Sequence, residues 1–251
     1  EEYMPKIISF INQKGGTGKT TLSLNISAIL ADKGYKVLLI DTDAQGNLTN
    51  TFIQDPKKTL YDVMVKDNPL HDVIVKTSLN HNLDIIPNNI LSCDINLILA
   101  PEIARELKLK NALDKDNLKY DYIIIDCNPS LDVCLINVLC CSNIVYILID
   151  TSAYSFVGLT NLVNFIEKVK PLNPNLNIGG FIFNNIDRRT TLFKEIIDAV
   201  NHIYPDKLLK TTISLNSIYP KMQFKKETIL SNENTKSYLE LSKLTEEIIN
   251  G

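Results

Sequence analysis

Short apolar runs rich in β-branched residues recur along the chain, and stretches with helical spacing separate them. Lys6–Ile11, Lys36–Ile40, Leu83–Ile86, Tyr122–Ile125, Ile144–Ile149 and Ile178–Phe183 read as strands. These runs are continuous rather than alternating, the pattern of strands covered on both faces. Thr20–Lys33 reads as an amphipathic helix closed by Gly34, and helical spacing returns over Asp94–Leu113, Leu159–Val169, Leu192–Ile203 and Asn234–Ile249. The alternation predicts an α/β fold, with a mostly parallel twisted sheet between two layers of helices. Pro171 and Pro174, with asparagines between them, mark a loop. No repeat, low-complexity tract or linker divides the chain, so a single domain over residues 1–251 is expected.

Composition narrows this only a little. With 45 % hydrophobic and 22 % charged residues, the chain is ordinary for a globular domain. No run approaches the roughly 20 apolar residues that cross a bilayer. The opening Glu1-Glu2-Tyr3-Met4 lacks a basic region followed by an apolar one, so no secretory signal is expected. The five cysteines (Cys93, Cys127, Cys134, Cys140, Cys141) are odd in number and form no CxxC pair near histidines; they read as reduced thiols packed like small hydrophobes. A net charge of −3 carries no global mark of nucleic-acid binding, so such a surface has to be local.

The most specific motif lies between the first strand and the first helix. Gly15-Gly16-Thr17-Gly18-Lys19-Thr20 has the spacing of a phosphate-binding loop. Glycines there let backbone N–H groups turn inward around phosphate oxygens, and the following helix N-terminus favours negative charge. In this arrangement Lys19 reaches the β- and γ-phosphates of ATP, the Thr20 hydroxyl ligates Mg²⁺, and Thr21 contacts the α-phosphate. The fold expected is therefore the three-layer P-loop NTPase fold.

Two further sites carry acid at strand ends, where open α/β sheets bind ligands. Asp41-Thr42-Asp43-Ala44-Gln45-Gly46-Asn47 follows the second strand, and Asp126 closes the run Tyr122–Ile125. Nucleotide hydrolysis needs one group to hold the attacking water in line and another to support the hydrated metal. An apolar run closed by aspartate is the Walker B arrangement, with Asp126 binding Mg²⁺ directly or through water.

With Lys14 ahead of it, the loop resembles the deviant Walker A motif, KGGxGK[ST], of the ParA/MinD superfamily. The resemblance implies that Lys14 crosses to the ATP of a partner subunit in a nucleotide-sandwich homodimer, where a second cation meets charge growing on the β–γ bridging oxygen. Residues 41–47 are similar to the family's DxDPQGN, with Ala44 in place of proline. By that likeness Asp43 orients the attacking water, Asp41 supports the Mg²⁺ shell, and Gln45 and Gly46 belong to a switch segment. Asp126-Cys127-Asn128-Pro129-Ser130 is similar to DxPPS, with Asn128 replacing the first proline. Leu83–Pro87 resembles a family strand ending in IP. Tyr154–Gly158 resembles YFALEG, with Val157 where glutamate is expected. Asn184 and Asn216 fall where relatives contact adenine, whose N6/N7 edge an amide can pair with.

Within the superfamily, a MinD-type membrane ATPase is expected to end in a basic amphipathic helix. The end Tyr238–Ile249 is amphipathic but acidic. An iron-protein reductase would hold a cluster on cysteines at the dimer axis, and these cysteines lack the matching positions. The chain resembles the small, Soj-like partition ATPases that lack an N-terminal helix-turn-helix. The resemblance implies non-specific DNA binding, a centromere-binding ParB-like adaptor that stimulates hydrolysis, a cytoplasmic, nucleoid-associated location and no membrane contact. From Lys207 to Lys226 the chain has Lys207, Lys210, Lys221, Lys225 and Lys226 with no acidic residue, and Arg188 and Arg189 form a second small cluster. These are the candidate phosphate contacts for DNA.

Overall fold

The computed structural model describes residues 4–116, 118–151 and 155–251, without the side chains of 155–157. The strands are β1 (Lys6–Ile11), β2 (Val37–Asp41), β3 (Val75–Lys76), β4 (Leu83–Ile86), β5 (Tyr122–Asp126), β6 (Ile144–Ile149) and β7 (Asn177–Phe183). The helices are α1 (Lys19–Asp32), α2 (Thr49–Phe52), α3 (Leu60–Lys66), α4 (Ile95–Leu99), α5 (Lys108–Lys115), α6 (Val133–Cys141), α7 (Ser155–Val169), α8 (Thr191–Ile203), α9 (Ile218–Lys225) and α10 (Lys236–Asn250).

The strands form one sheet in the order β3-β4-β2-β5-β1-β6-β7, parallel throughout except for the two-residue edge strand β3. Each central strand buries both faces, which is why its sequence is a continuous apolar run. Two hydrophobic cores result. One packs the sheet under α3, α4, α5, α6, α7 and α8, through residues such as Met64, Leu99, Leu139 and Ile166. The other packs it under α1, α9 and α10, through Leu22, Ile26, Met222 and Leu244.

Two expectations change here. Helix α1 is not amphipathic: every residue from Leu22 to Ala31 is buried, because the sheet, α10 and the segment around Ile229 enclose it. Its polar positions find partners inside, as when Asn25 donates to the Thr21 carbonyl and accepts from the Ile229 amide. The helix expected over 94–113 is broken into α4 and α5, since Pro101 cannot continue α4 and Ala104 turns into the left-handed region at φ 57°.

Candidate active site

β1 lies between β5 and β6, so the loop that follows Ile11 opens at the middle of the sheet. Gly16 and Gly18 take φ of 75° and 90°, a region that strains any side chain. A Cβ on Gly18 would also collide with Asn184 Nδ2. Two asparagines fasten the loop. Asn12 donates to the Leu148 carbonyl at 2.7 Å and accepts the Lys14 amide at 2.7 Å. Asn184, buried at the end of β7, donates to the Thr17 carbonyl at 2.6 Å. Asn184, expected at adenine, thus holds the phosphate loop itself.

The loop's two lysines sit in different surroundings. Lys19 is buried, its Nζ donating to the Lys14 carbonyl at 3.1 Å. Burial draws its pKa below the ordinary lysine value, while Asp126, Cys127 and Asp43 pull the other way. Lys14 stands on the rim with its side chain 54 % exposed, and its Nζ pairs with Asp150 Oδ2 at 2.5 Å. Register explains the pairing. Ile11 of β1 lies beside Ile147 of β6, and the two chains run the same distance onward to Lys14 and Asp150.

Asp41 and Asp126 are register partners at the ends of β2 and β5. Asp41, expected in a metal's hydration shell, commits both carboxylate oxygens to the turn that follows. One oxygen accepts the Asp43 amide; the other accepts the Thr49 amide and hydroxyl at 2.9 and 2.7 Å. Asp41 therefore holds the turn over residues 43–49 in shape, where Gly46 takes φ 61°. Burial pushes its pKa up to about 6 against those hydrogen bonds. Asp43 is half-buried and takes the Gln45 amide at 2.9 Å.

Asp126 is buried, with Ser23 Oγ 3.5 Å from Oδ1 and no partner at Oδ2 among the described residues. Burial first, and then the Asp41 carboxylate beside it, push its pKa well up. No group of three or more His, Cys, Asp or Glu among the described residues is arranged around an ion. The orphaned Oδ2 instead fits a cation that draws most ligands from phosphate and water, as Mg²⁺ does. Cys127 is buried and its thiol pushed up by burial, which leaves it inert.

Two other residues tie the strand-end loops together. Thr42 Oγ1 donates to the Asp126 carbonyl at 2.9 Å and accepts the Asn128 amide at 3.3 Å. Asn128 Nδ2 donates to Asp132, which caps α6 by accepting the Leu135 amide. Asn216 accepts the Ile218 amide at the start of α9. That helix approaches the phosphate loop through Tyr219, Met222 and Gln223, which share a small cavity with Thr20 and Thr21. Tyr154 lies outside the described residues, as do the side chains of Ser155, Phe156 and Val157.

The basic candidates divide into two groups. Arg188 donates to the Thr212 carbonyl and pairs with buried Glu240 at 3.1 Å; Arg189 forms a two-pronged pair with Asp187, and Lys207 donates to the Ile178 carbonyl. Arg188 and Lys210 line a groove of about 520 Å³ that Lys236 and Lys243 of α10 join, two lysines that no sequence pattern singles out. Lys221, Lys225 and Lys226 are exposed on and just after α9.

A family model described as an AAA domain matches residues 5–178. The chain is 42 % identical to the sporulation initiation inhibitor protein Soj of Bacillus subtilis over 85 % of both chains. It resembles a plasmid partition protein of Borrelia burgdorferi bound to AMPPNP, with 28 % identity, a TM-score of 0.82 and 98 % of each chain covered. It also resembles the cobyrinic acid a,c-diamide synthase of Mycobacterium smegmatis with bound ADP and magnesium, at 29 % identity and a TM-score of 0.79, over 88 % of this chain and 93 % of that one. A phosphate loop with a rim lysine, paired strand-end aspartates and a likeness that runs through most of the chain agree: the protein belongs to the Soj/ParA family of partition ATPases, within the ParA/MinD superfamily.

Proposed function

We propose that the protein hydrolyses ATP with Mg²⁺, forms an ATP-bridged homodimer, and in that state binds DNA without sequence preference to segregate a plasmid or chromosome. The observation that carries this reading is the division of labour between two lysines on one loop. Buried Lys19 serves the nucleotide of its own subunit, while rim-placed Lys14 is close enough to solvent to serve a neighbour's. Mg²⁺, held by Thr20 and Asp126, would supply positive charge against that of the phosphates. The loop amides of 15–20 and Lys19 bind those phosphates, Thr20 and Asp126 face the metal, and Asp43 aligns the attacking water. For Lys14 to reach a partner's phosphates it has to leave Asp150, so nucleotide-driven dimerisation and release of that ion pair are one event. A centromere-binding, ParB-like adaptor stimulates turnover, and the protein resides on the nucleoid in the cytoplasm.

Asp43→Ala is expected to keep ATP affinity and lower phosphate release by about a hundredfold or more, as loss of one positioned catalytic group does. Size-exclusion chromatography with ATP then shows the dimer accumulating; normal turnover would remove Asp43 from this role.

DNA retention is tested by gel shift on non-specific duplex with ATP, ADP or no nucleotide. Binding confined to ATP supports the reading, and binding indifferent to ATP sinks it. Joint replacement of Lys225 and Lys226 by Glu is expected to weaken retention, while nucleotide binding persists. The slope of log K against log salt should fall by about 0.9 for every phosphate that is no longer neutralised.

A membrane-positioning, MinD-like role is the second reading. The C-terminal helix argues against it, because α10 turns Leu241, Leu244 and Ile248 into the core under α1 and so has no free apolar face to lay on lipid. Among the described residues no helix is long and apolar enough to cross a membrane.

A further inference from the structure

Helix α9 presents a surface that ATP hydrolysis does not use. Phe224 is 91 % exposed, so nearly its whole ring stays in water without the gain that burial brings. Lys221 lies one turn before Phe224 and Lys225 on the same side of the helix, so the exposed ring has lysines as neighbours along this face. Lys226 follows at φ 58°, ending the helix and adding a third cation. The opposite side of the helix is anchored by buried Met222, so the exposed face is held in place rather than free to collapse inward. Leu215, 63 % exposed, extends the apolar part on the segment leading into the helix. No acidic residue occurs between Lys207 and Lys226, and the ion pairs found among the described residues do not engage Lys221, Lys225 or Lys226.

An aromatic ring framed by unpaired cations matches a polyanion that also offers flat apolar faces. We propose that this face of α9 is a seat for single-stranded DNA, on which Phe224 stacks against an exposed base while Lys221, Lys225 and Lys226 hold the flanking phosphates. The proposal rests on the DNA-binding reading above and adds to it a preference for DNA whose bases are accessible. A continuous duplex meets the lysines through its backbone but keeps its bases stacked, and inserting a ring between them costs a few kcal/mol per step. A single strand offers the same phosphates with its base faces already free, and stacking tolerates any sequence because every base has a π-face.

The chain has no tryptophan, so Phe224→Trp introduces a single fluorescent reporter at the seat. The full-length chain with ATP is titrated with an oligothymidylate of roughly 16 nucleotides, the upper end of common site sizes. The expected result is quenching of the introduced tryptophan. In the Phe224→Ala variant, oligothymidylate affinity falls by about tenfold or more, while ATP-dependent duplex retention and basal ATPase are unchanged. Lys221→Glu with Lys225→Glu lowers the salt slope on single strands by about 0.7 for every phosphate that is no longer neutralised. Unquenched fluorescence at saturating oligothymidylate, or wild-type single-strand affinity in Phe224→Ala, overturns the stacking seat while duplex retention leaves the DNA reading standing. A reporter that responds to phosphatidylserine vesicles and not to DNA also overturns it, in favour of a lipid surface. Loss of ATP-dependent binding to both forms of DNA in the wild-type chain brings down the proposal and the DNA reading together.

Discussion

Lys19→Ala is expected to abolish nucleotide binding while leaving the fold intact. Lys19 is the buried cation of the phosphate loop, already desolvated and held toward the Lys14 carbonyl at 3.1 Å. Its burial disfavours the charged form in the empty site, so arriving phosphates relieve a cost rather than create one. Removing one partner of a buried, hydrogen-bonded charge pair costs about 2–5 kcal/mol, which weakens the complex by roughly thirty- to several-thousandfold. The loop itself survives. Its shape depends on the glycine conformations and on the side chains of Asn12 and Asn184, which bond to backbone groups and not to the lysine head group. Calorimetric titration with Mg²⁺-ATP, beside a circular dichroism melt, separates the two effects. An ATP affinity within tenfold of wild type would show that Lys19 does not carry the phosphates. Lys14→Ala offers the contrast: it removes an exposed side chain, so monomer affinity for ATP changes little while dimerisation fails.

Most of the sheet and the place of its phosphate loop were legible because both are local. Continuous apolar runs mark β1, β4 and β6 to the residue, and the glycine spacing marks the phosphate loop. Helix α6 escaped because Val133–Cys141 is apolar nearly all round, so no polar face reveals a period, and β3 is too short to leave one. The partners of the loop are distant in sequence: Asp150 lies 136 residues from Lys14, and Asn184 lies 167 from Thr17. Lys14 could be singled out as unusual from its place beside the glycines. That it rests on an aspartate of its own chain follows only from the β1–β6 register. Asp41 shows the opposite case. Its likeness to the family motif implies a place in a metal's shell, yet Thr49, a residue with no motif to mark it, takes up one oxygen and the Asp43 amide the other, so Asp41 also braces the turn after β2.

That crowding of acids gives Asp126→Asn two effects of opposite sign. Asp126 and Asp41 face each other across neighbouring strands, both buried, with the Asp126 Oδ2 unpartnered among the described residues. Each carboxyl has a folded pKa above its unfolded value near 3.8, Asp41 at about 6 and Asp126 raised by burial and by the Asp41 carboxylate beside it. The native state then binds protons more tightly than the unfolded chain. By linkage, stability from these groups is present at low pH and is lost as pH rises from about 4 through their folded pKa values. For Asp41 alone the loss is of order 3 kcal/mol by pH 7. A neutral amide at 126 cannot ionise, so it carries neither the cost of a buried carboxyl at neutral pH nor any repulsion toward Asp41. The nucleotide-free variant should therefore melt higher than wild type at neutral pH, by about 2–4 °C per kcal/mol gained, with a flatter dependence above pH 4. With Mg²⁺-ATP the order reverses, since the charge that destabilises the empty site is the one that faces the metal: the variant gains little from the ligand and its turnover drops by about a hundredfold or more. Melting curves from pH 4 to 8 with and without Mg²⁺-ATP, paired with phosphate release, decide it. An empty variant less stable than wild type at neutral pH would mean that Asp126 is a structural brace like Asp41. The strained pair would then not be the reservoir that metal and nucleotide discharge.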